Sequence, residues 1–140
     1  MSEAGSSRAD DARRMAELAE AHSRHESEQA QAMIDEFIVE ARRRGIAPQP
    51  LRATTFSGAE VKTSLSGWYL RKNRSIAIGT DGGYYQLTVP GGGLLDRLRG
   101  VTVRPTPPPL VVGRGGRDGE TGDLKEFLGW VLDPSSRDAG

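Results

Sequence analysis

The sequence predicts an α+β fold: a four- to five-stranded antiparallel β-meander packed against a long N-terminal helix, with a short C-terminal helix. Three observations predict it. Residues 60–89 alternate apolar and polar side chains with period two, punctuated by turn residues. Residues 11–44 contain neither Gly nor Pro, and their second half places apolar residues at helical spacing. Leu124, Phe127, Leu128 and Val131 fall at i, i+3, i+4 and i+7, one face of a further helix.

Residues 1–10 are small and polar, which predicts a disordered tail. Asp10 or Asp11 can cap the helix start. From residue 11 the helix is uneven. Ala12, Met15, Ala16, Leu18 and Ala19 make a thin stripe, and residues 22–29 carry no apolar side chain. Ala30, Met33, Ile34, Phe37, Ile38 and Ala41 then form a good amphipathic face. Arg42, Arg43 and Arg44 complement the C-terminal dipole, and Gly45 supplies the left-handed cap. Residues 30–44 are therefore expected to dock on the sheet. Residues 11–29 are expected to project, fray or pair with a second copy.

The predicted core domain runs from residue 46 to 132. A stiff Pro-containing linker leads to a first strand at Leu51–Thr55, and Val61, Thr63 and Leu65 continue the alternation. Ser66-Gly67 reads as a two-residue turn. Trp68 and Leu70 then share a face, as do Ile76 and Ile78. Pairing Trp68 with Ile78 requires the odd loop Lys72-Asn73-Arg74. Asp81-Gly82 suits a two-residue type I′ hairpin, which sets Ile78 opposite Tyr85 and Ile76 opposite Leu87. That register sends Tyr69, Arg71, Ala77 and Tyr84 to the outer face, with a shallow shelf between the two tyrosines.

Beyond Val89, Pro90 and three glycines break the sheet, and Leu94–Leu98 reads as one or two helical turns. Pro105–Pro109 reads as polyproline II, and Leu110–Val112 as a short strand. Asp123 with Glu126 makes a capping box for the last helix. Pro134 ends that helix, and residues 133–140 are expected to form a flexible tail.

The charge is zero overall and unevenly spread: −3 over residues 1–50, +7 over 51–117 and −4 over 118–140. A basic β core between acidic flanks is either neutralised by them or meets an anionic partner. The candidate binding face is Tyr69, Arg71, Lys72, Arg74 and Tyr84, where aromatics and cations can hold a single strand of nucleic acid. Arg114 and Arg117, in the glycine-rich loop 113–122, form a candidate anion loop, although its spacing is neither a Walker nor a dinucleotide fingerprint.

Catalytic chemistry is thin. The chain has no cysteine, which excludes disulfides and thiolate sites. His22, His25 and Glu26 adjoin on the helix but match no zinc-protease order. Between Glu60 and Asp118 the acidic residues are Asp81 and Asp96, which offer no carboxylate pair. No cofactor and no metal is expected. With no signal peptide or membrane span visible, a cytoplasmic setting follows by default. The sequence thus points to a non-enzymatic protein-interaction or adaptor domain, with dimerisation through the N-terminal helix as one form. The alternative is nucleic-acid or polyanion binding through the basic β core.

Overall fold

The computed structural model describes residues 2–91, 99–113 and 121–138. The predicted turns at Leu94–Leu98 and the loop cations Arg114 and Arg117 lie outside them. The α+β class holds: a long N-terminal helix, a five-stranded mostly antiparallel sheet and a short C-terminal helix.

Helix α1 spans Ser2–Arg43, so it starts ahead of the expected tail boundary. Its end is the predicted one. Gly45 takes φ 73°, the Gly45 N–H donates to Arg42 O, and the Ile46 N–H donates to Ala41 O. This pair of bonds is a Schellman cap. The Glu40 carboxylate accepts from Arg43 and Arg44 on the same turn, and those bonds hold its pKa down at about 2.

The sheet contains β1 (Gln49–Thr55), β2 (Glu60–Tyr69), β3 (Ile76–Gly79), β4 (Tyr84–Gln86) and β5 (Thr88–Val89), in the order β4-β3-β2-β1-β5. Its two edge strands are consecutive in sequence and are separated by Leu87. The Leu87 N–H donates to Ser75 O, and its carbonyl accepts from the Thr54 N–H. One residue therefore joins both edges, and the sheet curls into a small barrel with β5 parallel to β1.

Three details of the expected meander are corrected. Ser66-Gly67 is no turn, because β2 runs unbroken through it. The strand instead bulges between Lys62 and Ser66, where Thr63 Oγ1 donates to Leu51 O at 2.6 Å and accepts from the Leu65 N–H. The Asp81-Gly82 turn closes three residues, not two. Gly82 alone of the pair takes positive φ, and Gly79 and Gly83 flank the loop through a 2.9 Å bond. A left-handed glycine after an ordinary turn adds one residue to the loop. The register moves with it, to Ile78↔Tyr84 and Ala77↔Tyr85. Tyr84 therefore faces the helix side, and Tyr85 and Leu87 face the other, the reverse of the expectation. The predicted Trp68↔Ile78 pairing and the odd loop at 72–74 are present, with Arg74 at φ 61°.

Two cores result. In the larger, Ala30, Ile34, Phe37 and Ala41 of α1 cover Trp68, Leu70, Ile76, Ile78 and Tyr84. Phe37 meets Trp68 edge-on at 5.4 Å, and the Trp68 indole N–H donates to Ile46 O. Helix α2 (Leu124–Leu132) completes this core with Leu124, Phe127 and Leu128. It is led in by a two-stranded ribbon of β6 (Val111–Val112) and β7 (Gly122–Asp123). Asp123 occupies the N-cap without a side-chain cap bond, so the predicted capping box is not formed. The smaller core, Leu51, Ala77, Tyr85 and Leu87, lies inside the curled sheet.

A short helix follows α2 after Asp133. Helix α3 (Pro134–Asp138) lays the Arg137 guanidinium 4.9 Å from the Trp130 ring and donates to Leu70 O. Among the described residues, no helix is long and apolar enough to cross a membrane.

Candidate functional site

The five residues of the expected binding face divide between two places. At the tip of the β2–β3 hairpin, Lys72 and Arg74 are exposed. The Arg74 guanidinium sits 5.7 Å from the centroid of the Tyr69 ring, and the Tyr69 hydroxyl accepts from the Arg52 N–H. Tyr69 is therefore a half-buried side chain already engaged at its face and its hydroxyl. Arg71 and Tyr84 are elsewhere. Arg71 is 8% exposed and donates to Ser75 Oγ, while Tyr84 is 2% exposed. Burial pushes the Tyr84 phenol up to about 12, and the Arg71 cation acts against that rise. The shelf between Tyr69 and Tyr84 does not form, because the two rings lie on opposite faces and Ala77 is buried within the barrel.

Arg71 and Tyr84 instead line a cleft of about 620 Å³ with Glu26, Ser75, Thr106 and Pro109. Two bonds build its walls. The Thr106 N–H donates to Tyr84 O at 2.9 Å, which lays the Pro-rich segment along β4. Glu26 accepts from the Leu110 N–H at 3.1 Å, which ties α1 to the end of that segment. Neither Glu26 nor Thr106 carries a sequence signal for this role, since both bonds span distant parts of the chain. His22 and His25 border a smaller cleft of about 230 Å³ against Leu110 and Val111. Among the described residues, no three His, Cys, Asp or Glu side chains gather as a metal site.

The second candidate surface is α1 itself. Buried positions begin at Ala30, and residues 7–25 are exposed throughout. At 1.5 Å per residue, that arm extends about 28 Å. It carries Met15 and Leu18, 67% and 60% exposed, three residues apart and so on one face. Polar residues separate this stripe from the docked segment, because the 22–29 run gives α1 nothing apolar to bury.

No protein-family model, no curated protein and no solved structure matches the chain.

Proposed function

We propose that this chain is a non-enzymatic protein-interaction module: a small barrel that anchors a helical arm, with the arm as its contact element. The exposed apolar stripe of the arm carries the reading. Short isolated helices are marginal in water, and most helical stability in proteins comes from packing an amphipathic face. Among the described residues, Met15 and Leu18 are left mostly exposed. The barrel and α2 supply a fixed base from which the arm is presented, because Ile34, Phe37 and Ala41 lock the second half of the same helix to the sheet.

The test is a photo-crosslinking residue placed at Leu18, with Val39 as the comparison site, in the intact chain inside its native cell. Discrete adducts from Leu18 are expected. Their absence at every expression level would remove the proposal.

Polyanion binding remains the alternative, favoured by the exposed Lys72 and Arg74 at the hairpin tip. It predicts retention on heparin that falls with salt and is lost in Lys72→Ala/Arg74→Ala. A wild-type chain that flows through at low salt would end it.

A further inference from the structure

Met15, Leu18, His22 and His25 follow one another at steps of three, four and three and form one stripe along the arm. Met15 and Leu18 are two of the four exposed large apolar side chains among the described residues. At 3.6 residues per turn this side lies about 110° around the helix from Ala30, Ile34, Phe37 and Ala41. All four residues are exposed, because α1 docks through Ala30, Ile34, Phe37 and Ala41, which follow the arm in the chain.

We propose that this stripe is covered by the arm of a second copy of the chain, laid antiparallel, with Met15 facing the partner's His25 and Leu18 facing the partner's His22. The inference rests on the reading of the arm as the contact element.

Charge selects the partner and the direction. Arg14 and Glu28 lie on one flank of the stripe, two heptads apart. In the antiparallel register, Arg14 meets the partner's Glu28 and Glu28 meets the partner's Arg14, which gives two opposite-charge pairs per dimer. Between them Ala21 meets the partner's Ala21, and on the far flank Ala19 meets the partner's Ala19. Both are small enough to let the helices approach closely. A parallel pair would set Arg14 beside Ala19 and stack each histidine on its own copy, with no opposite charges matched. Flanking charges of this kind set orientation and partner choice in paired helices.

The domain also provides a place for the end of the incoming arm. The cleft of about 230 Å³ is bordered by His22, His25, Gln29, Leu110 and Val111, beside the position where the partner's Met15 lands. Methionine adapts to irregular apolar gaps of this sort. The contact is self-complementary, as a two-fold dimer requires.

The absence of cysteine makes the register directly readable. In the full-length chain, Ala21→Cys is expected to form a disulfide-linked dimer on oxidation. Met15→Cys is expected to do so only when mixed with His25→Cys. Charge reversal supplies an independent readout by light scattering over a concentration series. Arg14→Glu and Glu28→Arg each convert both pairs to repulsions and are expected to weaken self-association by about tenfold or more. Mixing the two variants restores both pairs, so the mixture should recover the wild-type dimer. Efficient crosslinking of Met15→Cys alone would overturn the antiparallel arrangement. A wild-type chain that stays monomeric into the high micromolar range would overturn the dimer. Should Leu18 then still crosslink to a different protein, the arm remains a contact element and only its partner is misassigned. No adduct of any kind removes both.

Discussion

Two glycine-to-alanine substitutions should change stability in opposite directions, for reasons that can be read from their surroundings. Gly67 lies in the middle strand of three, paired with Gln49 on one side and Gly79 on the other. A Cβ built there would stand 1.9 Å from Ile78 O, 2.8 Å from Ile78 C and 2.9 Å from Gly79 Cα. All three are backbone atoms, so no rotamer change can relieve the clash. A close C···O contact sits at about 3.3 Å, so β3 would have to retreat by roughly 1.4 Å. The neighbouring pair is Trp68↔Ile78, which lies directly under Phe37. Overpacking of this kind costs about 1–3 kcal/mol, and each weakened ladder bond about 1 kcal/mol more. Stiffening of the unfolded chain by alanine returns about 0.4–1 kcal/mol. Gly67→Ala should therefore destabilise by about 3 kcal/mol. Gly129 is in the interior of α2, with nothing within 4 Å of the added atom. Gly129→Ala should stabilise by about 0.5–1 kcal/mol through helix propensity alone. Urea unfolding followed by fluorescence, with Trp68 3% exposed in the folded state, measures both at one protein concentration. A Gly67→Ala protein within about 0.5 kcal/mol of wild type would refute the close β2–β3 approach. A destabilised Gly129→Ala would refute the open surroundings of α2.

Other expectations follow from the same contacts. Ile34→Ala, at a fully buried position between α1 and the sheet, should cost about 3 kcal/mol in the same assay, whereas Val39→Ala on the opposite side should stay within about 0.5 kcal/mol. Thr63→Val keeps the shape but removes the hydroxyl that bridges Leu51 O and the Leu65 N–H, and should cost about 1–2 kcal/mol. Burial holds the Tyr84 phenol up at about 12, and burial with the bond to Asp81 does the same for Tyr85. Both phenols bind their protons more tightly when folded, so their contribution is fully present below pH 10 and is lost as pH rises toward 12. Urea midpoints across that window should fall with pH, and Tyr84→Phe should make the fall shallower.

Much of the architecture was legible because it rests on local pattern. The steps from Ala30 to Ala41, the glycine after three arginines, and the stripe at Leu124, Phe127 and Leu128 each name an element and its buried side without reference to the rest of the chain. The pairing of Trp68 with Ile78 followed from matching apolar faces across one loop. The next hairpin could not be resolved in this way. Tyr84 and Tyr85 are both aromatic, so either register buries a large ring, and Asp81-Gly82 serves both a two- and a three-residue loop. The contacts that accompany the observed register are a Tyr85 hydroxyl donating to Asp81 and a Gln31 side chain donating to Gly82 O from the helix. The second spans 51 positions in the sequence. Ser66-Gly67 misled for a related reason. A glycine needed for close strand approach looks the same in sequence as one needed for a turn.

The one-residue register change also bears on where function can sit. With a two-residue hairpin, the sheet would have one face under the helix and one open shelf between tyrosines. The longer loop turns Tyr85 and Leu87 to that second face, and Leu87 then joins β3 to β1. Both faces of β3 are thereby buried, one under α1 and one within the curl, whereas β1 and β2 keep alternate residues exposed. An apolar binding ledge on the barrel is excluded by its own closure, because Ala77, Leu51 and Leu87 are the residues that would have floored it. Among the described residues, the exposed large apolar side chains are Met15, Leu18 and Val39 on α1 and Phe56 in the turn between β1 and β2. With that ledge closed, the arm of α1, where Met15 and Leu18 are exposed, is the surface to test first.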